Sequence, residues 1–350
     1  MKILVIGAAG MIGRRLIARL LADGGFRDTH GQTIPGQKLT ELTAFDVVPA
    51  DLSDLIGGRD DIEVVHGSAV PKPLGQGRTV IRILTGDLSD AQQAASLVAD
   101  RPDIIFHLAA IVSGEAEADF ARGYRINLDG TRHLLEAIAA IDSYVPRLVF
   151  TSSIAVFGAP FPDAIGDDFH TTPLTSYGTQ KAICELLLND FSRRGMLDGV
   201  GIRLPTICVR PGRPNRAASG FFSNIIREPL AGQPAILPVS EDVRHWHASP
   251  RSAVGFLLHA ATLDSRQLGS RRNLTMPGVS VTVGEQIASL RKIAGEEVVK
   301  LIRHEPDEAI IRMVAGWPQN FSPVRAQQLG FRADASFEEI IQAHIQDELS

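Results

Sequence analysis

Residues 2–6 (KILVI) form a short β-branched apolar run that stops at Gly7. Such a run, bounded by glycine, predicts a buried parallel strand. After the glycines, RRLIARLLAD places Leu16, Ile17, Leu20 and Leu21 at helical spacing. The alternation then repeats. LTAFDVV gives a second apolar run with Asp46 at its end, IEVVHGS a weaker candidate strand, and VIRILTGDLSD a stronger one ending at Gly86-Asp87-Leu88 before the helical DAQQAASLVAD. Ile104 to Leu108 reads as a strand, Tyr124, Ile126, Leu128 and Leu134 as a helix, and LVFTSS (148–153) as a strand. Ile183, Leu186, Leu187 and Phe191 mark a further helix, and GVGIRLPTI (199–207) a further strand. Strands and helices alternating on this scale predict an α/β fold, a doubly wound parallel sheet whose ligands bind beyond the strands' carboxyl ends.

The remainder breaks this rhythm. Segment 208–240 is rich in Arg, Pro and Gly and reads as an excursion into a second lobe; VRHWHAS returns as a strand, followed by the helix SPRSAVGFLLHAATL. The expected division is a Rossmann-type nucleotide domain of residues 1–207 plus 241–264, and a smaller α/β substrate-binding lobe of 208–240 plus 265–350.

The first glycines carry chemistry. GAAGMIG sits between a strand and a helix, the context a dinucleotide fingerprint requires, with the spacing G-x-x-G-x-x-G. Gly7 permits the tight turn, Gly10 close approach of a pyrophosphate, and Gly13 close packing of helix on strand. The first-turn amides near Met11 and Ile12 then face the phosphates. Asp46 can accept both adenosine ribose hydroxyls and would repel a 2′-phosphate, which favours NAD over NADP. Asp46 lies further along than usual, and the excess falls in GGFRDTHGQTIPGQK, read as an inserted loop. Asp87 can bond an adenine amino group with the Leu88 amide beside it; alternatively Asp87 or Ser89 caps the next helix. Ala109, a small residue past its strand, leaves space for a cofactor backbone; Asn127 in NLDGT is a further cofactor-binding candidate.

Ser152 and Ser153 lie at the end of LVFTSS, and Tyr177 and Lys181 occur as YGTQK, one helical turn apart and so on one face. A free phenol has a pKa near ~10, too high to take an alcohol proton at neutral pH. An adjacent ammonium and a cationic nicotinamide lower it; reaching ~7 needs about 4 kcal/mol of differential stabilisation. A serine hydroxyl can hold the substrate oxygen in line with this base. Thr206 and Ser113 are candidates for substrate contact. An acidic substrate would need a cation: Arg210, Arg213, Arg244 and Arg251 are available, and Arg244 is preferred because its strand returns toward the site. His245 and His247 share a strand face, but no third ligand is evident, so no metal is expected.

Composition narrows the class. With 44% hydrophobic and 21% charged residues the chain can bury a core, and the formal net charge of −5 gives no general attraction to nucleic acid or membrane. Two cysteines, Cys184 and Cys208, make no disulfide framework. Without a long apolar run or a leader-like start, a cytoplasmic protein is expected.

GAAGMIG, Asp46, GDL (86–88), HLAA (107–110), NLDGT (127–131), TSSIAVFG (151–158), YGTQK (177–181) and RLPTI (203–207) follow one another as in the extended short-chain dehydrogenase/reductase family, which the chain resembles over its first two-thirds. The resemblance implies Ser153 as catalytic serine, Tyr177 as acid/base, Lys181 as its partner, Pro205 against the nicotinamide, NAD as cofactor, and a homodimer built on a four-helix interface. Phe157 stands where many relatives have Tyr, and RLPTICVRPG replaces R-x-x-N-x-Y-G-P-G. TTPLTSYGTQKAICELL, the segment IRLPTICVRPGRPNRAASGFFSNIIREPL and VRHWHASPRSAVG are similar to the dehydrogenases acting on the four-carbon sugar acid D-erythronate. That likeness implies oxidation of the C2 hydroxyl to 2-dehydro-D-erythronate. A sugar-nucleotide epimerase or dehydratase and a non-catalytic dinucleotide sensor are the alternative classes.

Overall fold

Along the first strand, Ile3 and Val5 enter one apolar core while Leu4 and Ile6 enter another, so both faces of the strand are covered. That two-sided burial explains why its sequence is apolar throughout rather than alternating. The computed structural model describes residues 1–27, 33–67, 78–212 and 219–349. Eight strands form the main sheet: β1 (Lys2–Ile6), β2 (Glu41–Asp46), β3 (Ile62–His66), β4 (Thr79–Thr85), β5 (Ile104–His107), β6 (Arg147–Ser153), β7 (Asp198–Leu204) and β8 (Asn273–Thr275). Their order is β8-β7-β6-β5-β1-β2-β4-β3, and all neighbours pair in parallel. The order reverses between β1 and β5, so a crevice opens beyond their carboxyl ends.

Helices α1 (Met11–Asp23), α2 (Ala91–Val98), α3 (Gly130–Ala139), α4 (Ser176–Arg193), α5 (Gly220–Leu230), α6 (Pro250–Thr262), α7 (Val283–Ala294) and α8 (Phe337–Glu348) are the longer helices among the described residues. Leu16, Ile17 and Leu20 of α1 and Phe256 and Leu257 of α6 cover one face of the sheet. Leu97 of α2, Leu134 and Ile138 of α3 and Leu188 of α4 cover the other. Each fully buried Leu or Ile contributes about 1.5–3 kcal/mol, so these two cores dominate the stability of the nucleotide-binding half. A separate core joins Phe222 and Ile226 of α5, Ile287 and Leu290 of α7, and Phe337 and Ile341 of α8.

The structure corrects several expectations. The stretch read as an inserted loop contains an antiparallel pair, Gly25–Arg27 with Thr33–Lys38. GVGIRLPTI is not one strand. Pro205 has no N–H to continue the ladder. β7 therefore ends at Leu204, and Thr206–Ile207 pairs instead with Arg244–Ala248 in a three-stranded sheet that Val279–Thr282 completes. The boundary expected at 265 does not separate two domains: β8 lies beyond it yet pairs with β7, and Ala326 and Phe331 enter the core beneath α1 and α6. Neither Asp87 nor Ser89 caps α2; Asp90 does, accepting from the Gln92 and Gln93 amides. No helix among the described residues is long and apolar enough to cross a membrane.

Candidate active site

The glycine turn is built as its spacing requires. Gly7 has φ +93, and a Cβ there would lie 2.7 Å from the Ala109 amide nitrogen. A Cβ on Gly13 would lie 2.2 Å from the Gly7 carbonyl oxygen, so α1 can pack this tightly only on glycine. Ala109 therefore packs at the turn itself. Its amide, like that of Leu108, donates to the Ile6 carbonyl. Gly10 precedes α1 with no side-chain cap, and no acid occupies the first turn around Met11 and Ile12. The helix N-terminus is thus left to an external anion. Asp46 ends β2 with its carboxylate accepting from the Ala9 amide at 2.9 Å and the Val47 amide at 2.7 Å. It is fixed beside the turn. These features fit a dinucleotide.

Asp87 is held by Ser89, whose amide and hydroxyl donate to it at 2.9 and 2.7 Å, and Leu88 is buried in the core. Asn127 lies on a π-helical turn, Tyr124–Asp129, and is buried. Its side chain accepts from the Ile111 amide and donates to the Ile111 carbonyl and to Gln180 of α4. It therefore ties the loop after β5 to the helix that carries the catalytic candidates, and it does not line the cavity described next.

A cavity of about 270 Å³ opens beyond the carboxyl ends of β5, β6 and β7. It brings together Ser113, Ser153, Tyr177, Lys181, Pro205 and Thr206. β6 delivers Ser153; α4, opened by a Thr175 cap on the Gly178 amide, delivers Tyr177 and Lys181. The Lys181 ammonium donates to the Thr151 carbonyl at 2.8 Å and lies 5.7 Å from the Tyr177 ring centre. Burial pushes the Tyr177 phenol up to about 12, opposed by the Ser153 hydroxyl and the charge of Arg210. Burial also pulls Lys181 down to about 8, offset by Cys184 and Glu185. The expectation of an acidic phenol is thus not met by the protein alone, because desolvation of the phenolate outweighs the Ser153 hydroxyl and the charge of Arg210.

Beneath these residues lies a pair the sequence analysis missed. Glu185, one turn beyond Lys181 and buried, accepts from Arg203 at 2.7 and 2.9 Å and from Ser152 at 2.6 Å. Arg203 in turn lies 4.9 Å from the Phe157 ring centre. The i, i+4 step from Lys181 to Glu185 was the available signal.

Arg244 does not reach the cavity. It donates to the Ser280 carbonyl at 3.0 Å and pairs with Glu285 at 3.2 Å. Along Arg244–Ala248 alternate residues face opposite ways, so it is His245 that enters the cavity. Arg251 pairs with Asp347, and Arg213 lies outside the described residues. Arg210 is the arginine in the cavity wall. His245 packs between Phe222, parallel at 5.1 Å, and Trp317. Its Nδ1 lies 2.9 Å from the Pro318 carbonyl, which can only accept, so Nδ1 carries the proton. Burial holds His245 down at about 4, so it is neutral near pH 7. Its Nε2 therefore accepts the Thr206 hydroxyl proton at 2.7 Å, and the Thr206 oxygen offers the cavity only lone pairs. His247 faces Gln286 instead, and among the described residues no group of three or more His, Cys, Asp or Glu is placed to hold a metal.

The chain is 43% identical over 347 residues to the D-erythronate dehydrogenase of Cupriavidus necator, covering 99% of this chain and 98% of that one. It is 39% identical over 347 residues to the D-erythronate dehydrogenase of Haemophilus influenzae, covering 99% of each. A solved structure described as the nucleoside-diphosphate-sugar epimerase from Agrobacterium tumefaciens is 58% identical with a TM-score of 0.87, covering all of this chain and 94% of that one. Residues 3–250 match the model of the NAD dependent epimerase/dehydratase family, and with the glycine turn, Asp46 and the Tyr177–Lys181 pair at one crevice, the chain belongs to that family.

Proposed function

We propose that this protein oxidises the C2 hydroxyl of D-erythronate to 2-dehydro-D-erythronate, with NAD as its cofactor and Ser153, Tyr177 and Lys181 as its catalytic residues. The observation that carries this reading is the cavity itself, where those three side chains meet a cationic wall at Arg210. Full-length likeness to two D-erythronate dehydrogenases supports the choice of substrate.

Gly7, Gly10, Met11, Ile12, Gly13 and Asp46 would hold the dinucleotide, with Asp87, Leu88 and Pro205 further along the crevice. When bound, NAD supplies the hydride acceptor and a positive charge. Ser153 positions the substrate hydroxyl against the Tyr177 oxygen. Tyr177 takes the hydroxyl proton as hydride leaves C2, and Lys181, anchored on the Thr151 carbonyl, steadies the resulting charge distribution. Thr206 accepts from a second substrate hydroxyl, and Ser113 meets a third. The partly buried phenol must give up that proton before the next turnover.

The likeness to the Agrobacterium tumefaciens structure favours a second reading, epimerisation of a nucleoside-diphosphate sugar, in which the cofactor is recycled within one turnover. The two separate cleanly. Incubation with NAD and D-erythronate is expected to yield one NADH per 2-oxo acid, followed at 340 nm. Isomerised UDP-hexose without net NADH, and no reaction with the acid, would replace the first reading by the second.

A further inference from the structure

We infer that Arg210 binds the carboxylate of the substrate and is the residue by which this site selects a sugar acid over a neutral polyol. The inference rests on the sugar-acid reading above and names the part of the site that reads the acid group.

Arg210 follows the short strand Thr206–Ile207, so the chain that supplies Thr206 also supplies the cation. Its side chain is anchored by neutral acceptors alone. Nε donates to the Ile207 carbonyl at 3.0 Å and Nη2 to the Ser219 hydroxyl at 3.1 Å. Among the described residues no carboxylate lies within ion-pair distance of it, and the neighbouring segment 213–218 contains no acidic residue. The other charged groups nearby are spoken for. Arg203 is matched by Glu185, Arg227 by Glu228, and the Lys181 ammonium rests on the Thr151 carbonyl. A partly buried guanidinium with free donors and no counter-ion, in the wall of a cavity, is arranged for an anion that arrives with the ligand.

The position suits a 2-hydroxy acid. In such a substrate the carboxyl carbon is bonded directly to the carbon that loses hydride. The anion must therefore sit beside the base, and Arg210 lines the same cavity as Tyr177 closely enough for its charge to act on the phenol. Anchoring through Nε and one Nη fixes the guanidinium plane, which leaves a planar edge for a planar carboxylate. A neutral sugar ring would leave this charge desolvated and unmatched, a penalty that falls on the wrong substrate.

The test uses wild-type enzyme and Arg210→Gln with D-erythronate and its neutral analogue D-erythronamide. Wild-type turnover of D-erythronate is measured first; its absence defeats the sugar-acid reading. Dissociation constants of the acid and the amide for the enzyme–NADH complex then bear on Arg210 alone. Wild type is expected to prefer the acid by about 100-fold, and Arg210→Gln to bring that preference within about 3-fold while NADH affinity stays unchanged. Equal weakening of acid and amide in the variant would show a purely structural role and overturn the inference, as would a wild type indifferent to the charge. If Arg210→Gln loses cooperative melting, Arg210→Lys decides: a preference lowered by about 10-fold supports the planar contact, and an unchanged one overturns it.

Discussion

The nucleotide half and the substrate half of this crevice are made in different ways. The first is local: Gly7, Gly10 and Gly13 lie within one turn, and Asp46 ends the adjacent strand. Backbone geometry specifies it, since a Cβ on Gly7 or Gly13 would collide with main-chain atoms. The second is assembled from Ser113, Thr206, Arg210, His245 and Trp317, which come from four separate stretches of chain. Its specification lies in side-chain hydrogen bonding, such as the His245 tautomer that turns Thr206 into an acceptor.

Tyr177 sits at the seam between the halves, so its loss should have the largest effect. Tyr177→Phe is expected to lower kcat about 10³-fold or more, roughly 4 kcal/mol of transition-state stabilisation, with the dissociation constant for NAD unchanged in fluorescence titration. Next comes the buried pair beneath the seam. Glu185→Gln leaves Arg203 without its counter-charge and should cost about 3 kcal/mol in urea denaturation, far more than a surface pair. The remaining two substitutions sharpen the contrast, because each should touch one half only. Asp46→Ala is expected to weaken NAD about 10-fold, and to narrow the preference over NADP, while the KM for the acid at saturating cofactor holds. Thr206→Val should raise that KM about 5-fold and leave NAD binding unaltered. A change in both halves from either substitution would dissolve the distinction.

The same contrast explains what the sequence disclosed. The parallel sheet, the glycine turn, Asp46 and the Tyr177–Lys181 pair are written in short-range patterns. Strand periodicity, glycine spacing and a one-turn helical step each carry them. Arg244 was misplaced because its strand was judged by direction alone. The alternation along Arg-His-Trp-His turns Arg244 toward Glu285 and His245 into the cavity. Trp317 and Pro318 had no local signal, since they reach the site only through packing of the second core. Strand β8 was likewise hidden, because three residues are too few for a periodicity and its place depends on pairing with β7.

The central physical claim of the proposed function is that Tyr177 becomes a base only when the cofactor's charge joins that of Arg210. The chain has 3 Tyr, so tyrosinate absorbance can be resolved by difference between wild type and Tyr177→Phe. Burial holds Tyr177 up at about 12, and no Tyr177 ionisation is expected below pH 10 in the free protein. With saturating NAD, one tyrosinate should appear several units lower, near ~7. A titration left unchanged by NAD would contradict the account.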